Sequence, residues 1–260
     1  MSDNRVFYSG IFDTHAHYDD EVFAPNLSEV LSVQRENGVV GIINCGSDEA
    51  SSLRSAELAK EYTFVYAAVG VHPQEAENLS DGWLDRIAAM AALPKVCAIG
   101  EIGLDYYRDY PSRDRQQEVF RKQVELANSL CLPVQIHDRD AHGDTLCMLK
   151  ELKPKGCVHR FSGSPEMAFE LVKIGMYIGV GGALTYKNAK KEVETVRQIP
   201  LEHIILETDC PFLAPQEFRG KVATSDMLSC VVDKISELKG ISPKEVVAAT
   251  LQNAKRAFRL

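Results

Sequence analysis

Short runs rich in β-branched residues alternate along this chain with longer amphipathic stretches. The runs at 10–17, 39–46, 64–72, 96–104, 133–138, 156–161, 176–181 and 204–208 read as eight strands. Helical periodicity falls between and after them, at about 26–37, 48–61, 81–92, 112–131, 141–152, 165–174, 187–198 and 223–238. The period is clearest over residues 116–130, where Val119, Phe120, Val124, Leu126, Ala127 and Leu130 share one face opposite charged positions. A final helix is predicted at 243–258. Ser242 can cap it, Pro243 fits its first turn, and Glu245 stands at capping-box spacing.

Strands separated by helices of this length are βαβ units, and such units build a parallel sheet. Eight of them in 260 residues predict an α/β protein, a (β/α)8 TIM barrel with an additional C-terminal helix. A doubly wound open sheet is the rival, but neither GxGxxG nor GxxxxGK[ST] follows the first strand. No Pro-, Gly- or Ser-rich linker, internal repeat or low-complexity tract interrupts the pattern, so residues 1–260 are expected to form a single domain.

Composition narrows the picture. With 25% charged and 45% hydrophobic residues, the chain is neither a disordered tail, a fibrous repeat nor a disulfide-stapled mini-domain. A net charge of -8, from 29 basic and 37 acidic residues, excludes a general electrostatic binder of nucleic acid. Any phosphate must be gripped locally, by a few cationic side chains or by metal ions. Seven cysteines, odd in number and without a CxxC pair, point to a reducing compartment. The first residues lack the basic-then-apolar pattern of a secretory signal. The longest uncharged stretches, such as 176–186, fall short of the ~20 residues that span a bilayer. The expectation is a soluble cytoplasmic protein with no membrane partner, monomeric or weakly oligomeric.

The chemistry is concentrated where strands end. His15 and His17 close the first, Glu101 lies in the fourth, His137 ends the fifth, His159 falls in the sixth and Asp209 follows the eighth. In a barrel those ends converge on one face. Alternate strand residues point to the same side, so His15 and His17 can face the axis together. The competing reading, scattered core and surface histidines, does not account for six ligand-type residues recurring at strand ends. Four histidines and two carboxylates exceed the three protein ligands and water of one catalytic zinc-type site, and suit two metals about 3.5–4 Å apart. The expected division gives His15, His17 and Asp209 to one ion and His137 and His159 to the other, with Glu101 as the bridge. Mixed imidazole and carboxylate ligands suit Zn, Mn, Fe or Ni, and Mg less comfortably.

The HxH of the first strand, GEIGLDYY, PVQIHDRDA, HRFSG, ETDCP and the terminal TLQNAKRAF together resemble the TatD family of metal-dependent hydrolases. The resemblance runs from Asp13 to about Phe258, with the motifs in the family's order. It implies an amidohydrolase-type TIM barrel and a metal-dependent deoxyribonuclease activity. The family's ligands fall on His15, His17, Glu101, His137, His159 and Asp209. Two departures stand out. Arg160 occupies a position where many members have Cys or Ala, and Arg219-Gly220-Lys221 runs into Val222-Ala223-Thr224 where an Asn-x-Pro is frequent.

The leading expectation is hydrolysis of DNA phosphodiester bonds, including trimming from an end, by a hydroxide activated between two divalent ions. Glu101 and Asp209 are the catalytic candidates, with Asp209 orienting the attacking water or accepting its proton. Arg139, Arg160, Arg219 and Lys221 are candidate phosphate clamps, each with an alternative as a solvated loop charge. His72 is a substrate-binding or pocket-capping candidate, or else a packed histidine of the barrel mouth. Asp13 and Glu207 share faces with neighbouring ligands but lie deeper, which suits hydrogen-bonded support of those ligands. Tyr106 and Tyr107 are read as base-stacking candidates or as hydrophobic loop anchors. The rivals are hydrolysis of a small amide, cyclic amide or ester by the same metal pair, and a non-catalytic metal-binding scaffold. Related amidohydrolases often bridge their metals with a carboxylated lysine, and Glu101 at that place favours the phosphodiesterase.

Overall fold

The computed structural model describes residues 6–260. Residues 1–5, in which no secretory pattern is seen, lie outside them. Eight strands run in the order of the chain, all parallel: β1 (Ile11–Ala16), β2 (Val39–Cys45), β3 (Val65–Val69), β4 (Val96–Asp105), β5 (Val134–Arg139), β6 (Gly156–Val158), β7 (Met176–Val180) and β8 (Ile204–Leu206). The helices α1 (Leu27–Glu36), α2 (Glu49–Glu61), α3 (Trp83–Ala91), α4 (Arg113–Ser129), α5 (His142–Leu152), α6 (Pro165–Lys173), α7 (Lys190–Gln198) and α8 (Leu228–Lys239) follow the strands in turn, and α9 (Pro243–Phe258) ends the chain. This is a TIM barrel with an additional C-terminal helix. None of the helices among the described residues is long and apolar enough to cross a membrane.

Closure between β1 and β8 falls beyond the short eighth strand. Thr14 Oγ1 donates to the Leu206 carbonyl at 2.9 Å, Asp209 N to the His15 carbonyl at 2.9 Å, and His17 N to the Cys210 carbonyl at 2.8 Å. The buried Asp13 carboxyl reinforces this seam by accepting from Thr208 N, Thr208 Oγ1 and Ser225 Oγ at 2.9, 2.6 and 2.7 Å. Barrel closure and the placement of His15, His17 and Asp209 are therefore one feature.

Helix α9 starts at the capping box of Ser242 and Glu245. Its last two turns insert Ala254, Ala257 and Phe258 against Phe12, Cys97, Cys157 and Ile205, near the beginnings of the strands. Burial of these apolar side chains seals the end of the barrel opposite the strand termini. In α4, Val119, Phe120, Val124 and Ala127 are buried, but Leu130 is 42% exposed because it lies past the last helical turn. Two glutamines share that buried face. Gln123 pairs with both backbone groups of Val71, and Gln116 with both backbone groups of Asp105. These amides fix the loops that follow β3 and β4.

Several predicted strands overrun the observed ladders. Strand β3 stops at Val69, β6 at Val158 and β8 at Leu206, so His72, His159 and Asp209 stand on backbone that has left the sheet. The turns are sharp, and both Arg160 (φ 45°) and Asp209 (φ 62°) adopt the left-handed region. The predicted helices at 187–198 and 223–238 begin later, each preceded by a 3-10 turn, Gly182–Thr185 and Ser225–Met227 respectively.

Candidate metal centre

The six predicted ligands meet at the carboxyl ends of the strands. Glu101 lies at their centre, and its two oxygens face different partners. Oε1 is 2.7 Å from His137 Nδ1 and 2.8 Å from His159 Nε2. Oε2 is 3.5 Å from His15 Nε2 and 3.7 Å from His17 Nε2. Asp209 Oδ1 closes the second group, 3.5 Å from His17 Nε2 and 3.8 Å from His15 Nε2. All six side chains are buried or nearly so.

Neighbouring groups fix which nitrogens face inward. His15 Nδ1 donates to Gln135 Oε1 at 2.7 Å, and Gln135 Nε2 in turn donates to the Thr14 carbonyl at 2.8 Å. His17 Nδ1 donates to the Cys45 carbonyl at 2.9 Å. Each ring therefore turns Nε2 toward the carboxylates, and the two Nε2 atoms are 3.2 Å apart. Facing lone pairs at that distance are compatible only with a proton or a cation between them. His159 stacks on His15 with ring centroids 3.8 Å apart, and its Nδ1 is buried without a hydrogen-bond partner, 3.8 Å from Glu207 Oε1. A donor set of imidazoles and carboxylates, desolvated and mutually crowded, fits divalent ions of the Zn, Mn, Fe or Ni type.

The electrostatics follow from the same packing. Burial opposes charge on His17, but its bond to Asp209 and the nearby Glu101 carboxylate overcome it and lift its pKa to about 9. His137 is likewise opposed by burial and lifted to about 9 by hydrogen bonds to Asp105 and Glu101. Burial lowers His159 to about 4, helped by the neighbouring His15, and lowers His72 to about 3. For Glu101 and Asp209, burial resists ionisation but the surrounding histidines prevail and hold both carboxyls below their ordinary range. Glu207, fully buried beside other carboxylates, is pushed well above its ordinary value.

The substrate candidates separate. A cavity of about 350 Å³ opens beside the cluster on the β5–β8 side, and Arg139, Arg160 and Tyr186 line it together with His137, His159 and Asp209. Arg160 Nη1 is 3.5 Å from Asp209 Oδ2. Arg219 and Lys221 lie outside that lining, both exposed, with Arg219 Cζ 5.2 Å from the Tyr186 ring centre and Lys221 Nζ 5.6 Å from that of Phe218. His72 touches the cluster directly, its Nε2 3.8 Å from Glu101 Oε1, while its Nδ1 accepts from Gln74 N. Tyr106 is an anchor, tied through its hydroxyl to Asp144 and Gln117, whereas Tyr107 points outward and is 61% exposed.

Two supporting residues carried a signal that ligand-type reasoning passed over. Gln135 precedes His137 by two positions in β5, and Asp105 follows Glu101 by four in β4, so strand alternation already puts each on the face of a candidate ligand. Asp105 Oδ2 lies 3.5 Å from His137 Nε2 and accepts from Gln74 Nε2 at 2.8 Å. Burial resists its ionisation, yet these contacts bring its pKa down to about 2.

A TIM barrel with histidines and carboxylates gathered at its strand termini defines the class, a metal-dependent hydrolase. Within that class the chain belongs to the TatD family, since the family described as TatD related DNase matches residues 12–259. The chain is 42% identical to a Bacillus subtilis (strain 168) protein called uncharacterized metal-dependent hydrolase YabD, over 96% of this chain and 99% of that one. It is 32% identical to a protein of Yersinia pseudotuberculosis serotype O:3 named 3'-5' ssDNA/RNA exonuclease TatD, over 96% and 100% of the two chains. The crystal structure of the TatD homologue YjjV from Escherichia coli K12 superimposes with a TM-score of 0.92 at 34% identity, covering 96% of this chain and 98% of that one.

Proposed function

We propose that this protein is a phosphodiesterase acting on DNA, removing nucleotides from strand ends. His15, His17 and Asp209 would hold one divalent ion, His137 and His159 the other, and Glu101 would bind both. The observation that carries this reading is the division of Glu101, one oxygen within 2.8 Å of two histidines and the other 3.5–3.7 Å from a second pair. When bound, such ions supply Lewis-acid polarisation of a phosphoryl oxygen and lower the pKa of water from 15.7 toward about 7.

The chain's own groups do the rest. Asp209 presents Oδ1 to the His15–His17 pair and Oδ2 to Arg160, so it stands between the ligand cluster and the cavity. There it orients the attacking water and accepts its proton. Arg160 and Arg139 offer planar forks to the non-bridging oxygens of a phosphate seated in the cavity. His72 keeps a neutral ring, and its Nε2 faces Glu101 across the site. Gln135 and the Cys45 carbonyl hold His15 and His17 in the orientation that ligation requires. Arg139 and Arg160 are the cations that would meet an anionic phosphodiester in a cavity whose lining also holds Asp138, Asp140, Glu192, Glu207 and Asp209, and the Yersinia relative's name supports a phosphodiester substrate over a neutral amide or ester.

The test is turnover by protein loaded with Mg, Mn or Zn. Single-stranded DNA and bis(p-nitrophenyl) phosphate are compared with panels of amides, cyclic amides and carboxylic esters. Hydrolysis of the phosphodiesters supports the proposal. Intact DNA beside a cleaved amide assigns the site to the amidohydrolase reading, and bound metal with no turnover of any substrate assigns it to a scaffold.

A further inference from the structure

The segment that leaves β4 carries features that the metal cluster does not use. Tyr107 and Tyr110 are 61% and 63% exposed, more than any other aromatic side chain among the described residues. Their segment is not loosely held. Tyr107 N donates to the buried Asp105 Oδ1 at 3.0 Å, Tyr106 OH donates to Asp144 at 2.8 Å, and Arg113 lies over the Tyr106 ring with Cζ 4.5 Å from its centre. The base of the loop is fixed, while two aromatic rings are left facing solvent. Arg139 stacks on Tyr107 with Cζ 3.7 Å from the ring centre, and the same Arg139 lines the cavity beside the cluster. Aromatic face, guanidinium and cavity are thus contiguous.

Three arginines (Arg108, Arg113 and Arg139) and four exposed aspartates (Asp109, Asp114, Asp140 and Asp144) stand in or beside this segment, so the cation offered to a strand is the local one of Arg139 against Tyr107 rather than a net positive rim. Exposed aromatics interleaved with arginines are what a single strand requires, since every base offers a face for stacking while its phosphates seek cations. Bases already stacked in a duplex cannot use such a platform.

We propose that Tyr107 and Tyr110 form a stacking platform for single-stranded nucleic acid, which feeds the strand past Arg139 into the cavity. This inference rests on the phosphodiesterase reading for its purpose, but it concerns binding and can be measured without turnover. One side of the Tyr107 ring is taken by the guanidinium, so a base stacks on the other, and the next base along the strand lies on Tyr110. Tyr106, packed inward, takes no part.

The experiment measures fluorescence anisotropy of a labelled 12-nucleotide single strand and the matching duplex with full-length protein in EDTA. It is paired with steady-state kinetics of the metal-loaded protein on single strands and on bis(p-nitrophenyl) phosphate. Tyr107→Ala and Tyr110→Ala should each weaken single-strand binding about 10- to 100-fold, with a matching rise in KM for oligonucleotides. Tyr110→Ala should leave kcat/KM on bis(p-nitrophenyl) phosphate within about twofold of wild type, and both variants should keep the wild-type circular dichroism spectrum and melting temperature, which establishes that they fold. Tyr107→Phe should retain binding. Unchanged single-strand affinity in both alanine variants, or a loss on the small diester in Tyr110→Ala equal to its loss on oligonucleotides, overturns the platform. Tight single-strand binding lost in the variants, with DNA left uncleaved by wild type, upholds the platform and removes the phosphodiesterase reading instead.

Discussion

Metal uptake by this protein should release at least two protons at neutral pH, one each from His17 and His137. The perturbation is the filling of the His15–His17–Asp209 and His137–His159 groups by divalent ions in protein first stripped with EDTA. Ligation requires neutral imidazoles. With pKa values of about 9, His17 and His137 each carry a proton in the ion-free protein at pH 7, to about 99% occupancy. Glu101 and Asp209 are already ionised, and His159 and His72 are already neutral, so these four contribute none. Titration calorimetry at pH 7 in PIPES and in ACES, whose ionisation enthalpies differ, reads the number directly. The affinity for each ion should rise about tenfold per pH unit between pH 7 and 8, since each group holds one such histidine, and level off above pH 9. The same protons affect folding. A histidine whose pKa is raised by folding stabilises fully below its unfolded value near 6.5 and loses that contribution as pH climbs through about 9. The melting temperature of the ion-free protein should therefore fall between pH 7 and 9.5. Buffer-independent heats with pH-independent affinity would refute the assignment of these protons to the cluster.

Three substitutions extend the test. Gln135→Leu removes the 2.7 Å partner of His15 Nδ1 without touching a ligand, and should weaken metal affinity about 10- to 100-fold by competition with a chelating dye. Glu101→Ala should keep the circular dichroism spectrum while lowering turnover of bis(p-nitrophenyl) phosphate by about three orders of magnitude or more; wild-type rates would remove its bridging role. Gly103→Ala addresses the backbone, since Gly103 has φ +148° and an added Cβ would lie 2.0 Å from the His137 carbonyl oxygen. It should cost about 3 kcal/mol or more in urea denaturation and displace His137.

Much of this arrangement is legible from residue order. The alternation of apolar runs and amphipathic stretches gives the strand count, and ligand-type residues at strand ends give the side chains that converge. Strand lengths were less legible, for a physical reason. His72, His159 and Asp209 remain in apolar, β-rich sequence, but turn away from the ladder to aim their side chains, and pattern alone does not register a left-handed residue such as Asp209. Uncharged amides were the other blind spot. Gln116, Gln123 and Gln135 carried no assignment from residue order, yet each is buried and pairs with backbone or with His15. The arginines divide by neighbourhood: Arg139 and Arg160 reach the cavity, whereas Arg219 leans over Tyr186 outside it.

The most direct measurement is the metal content of purified, reloaded protein by mass spectrometry, wild type beside Glu101→Ala. Two tightly held divalent ions per wild-type chain, and one or none in the variant, is the outcome required of a carboxylate that serves both sites. A wild-type chain that retains no divalent ion, or a variant that still holds two, would contradict it.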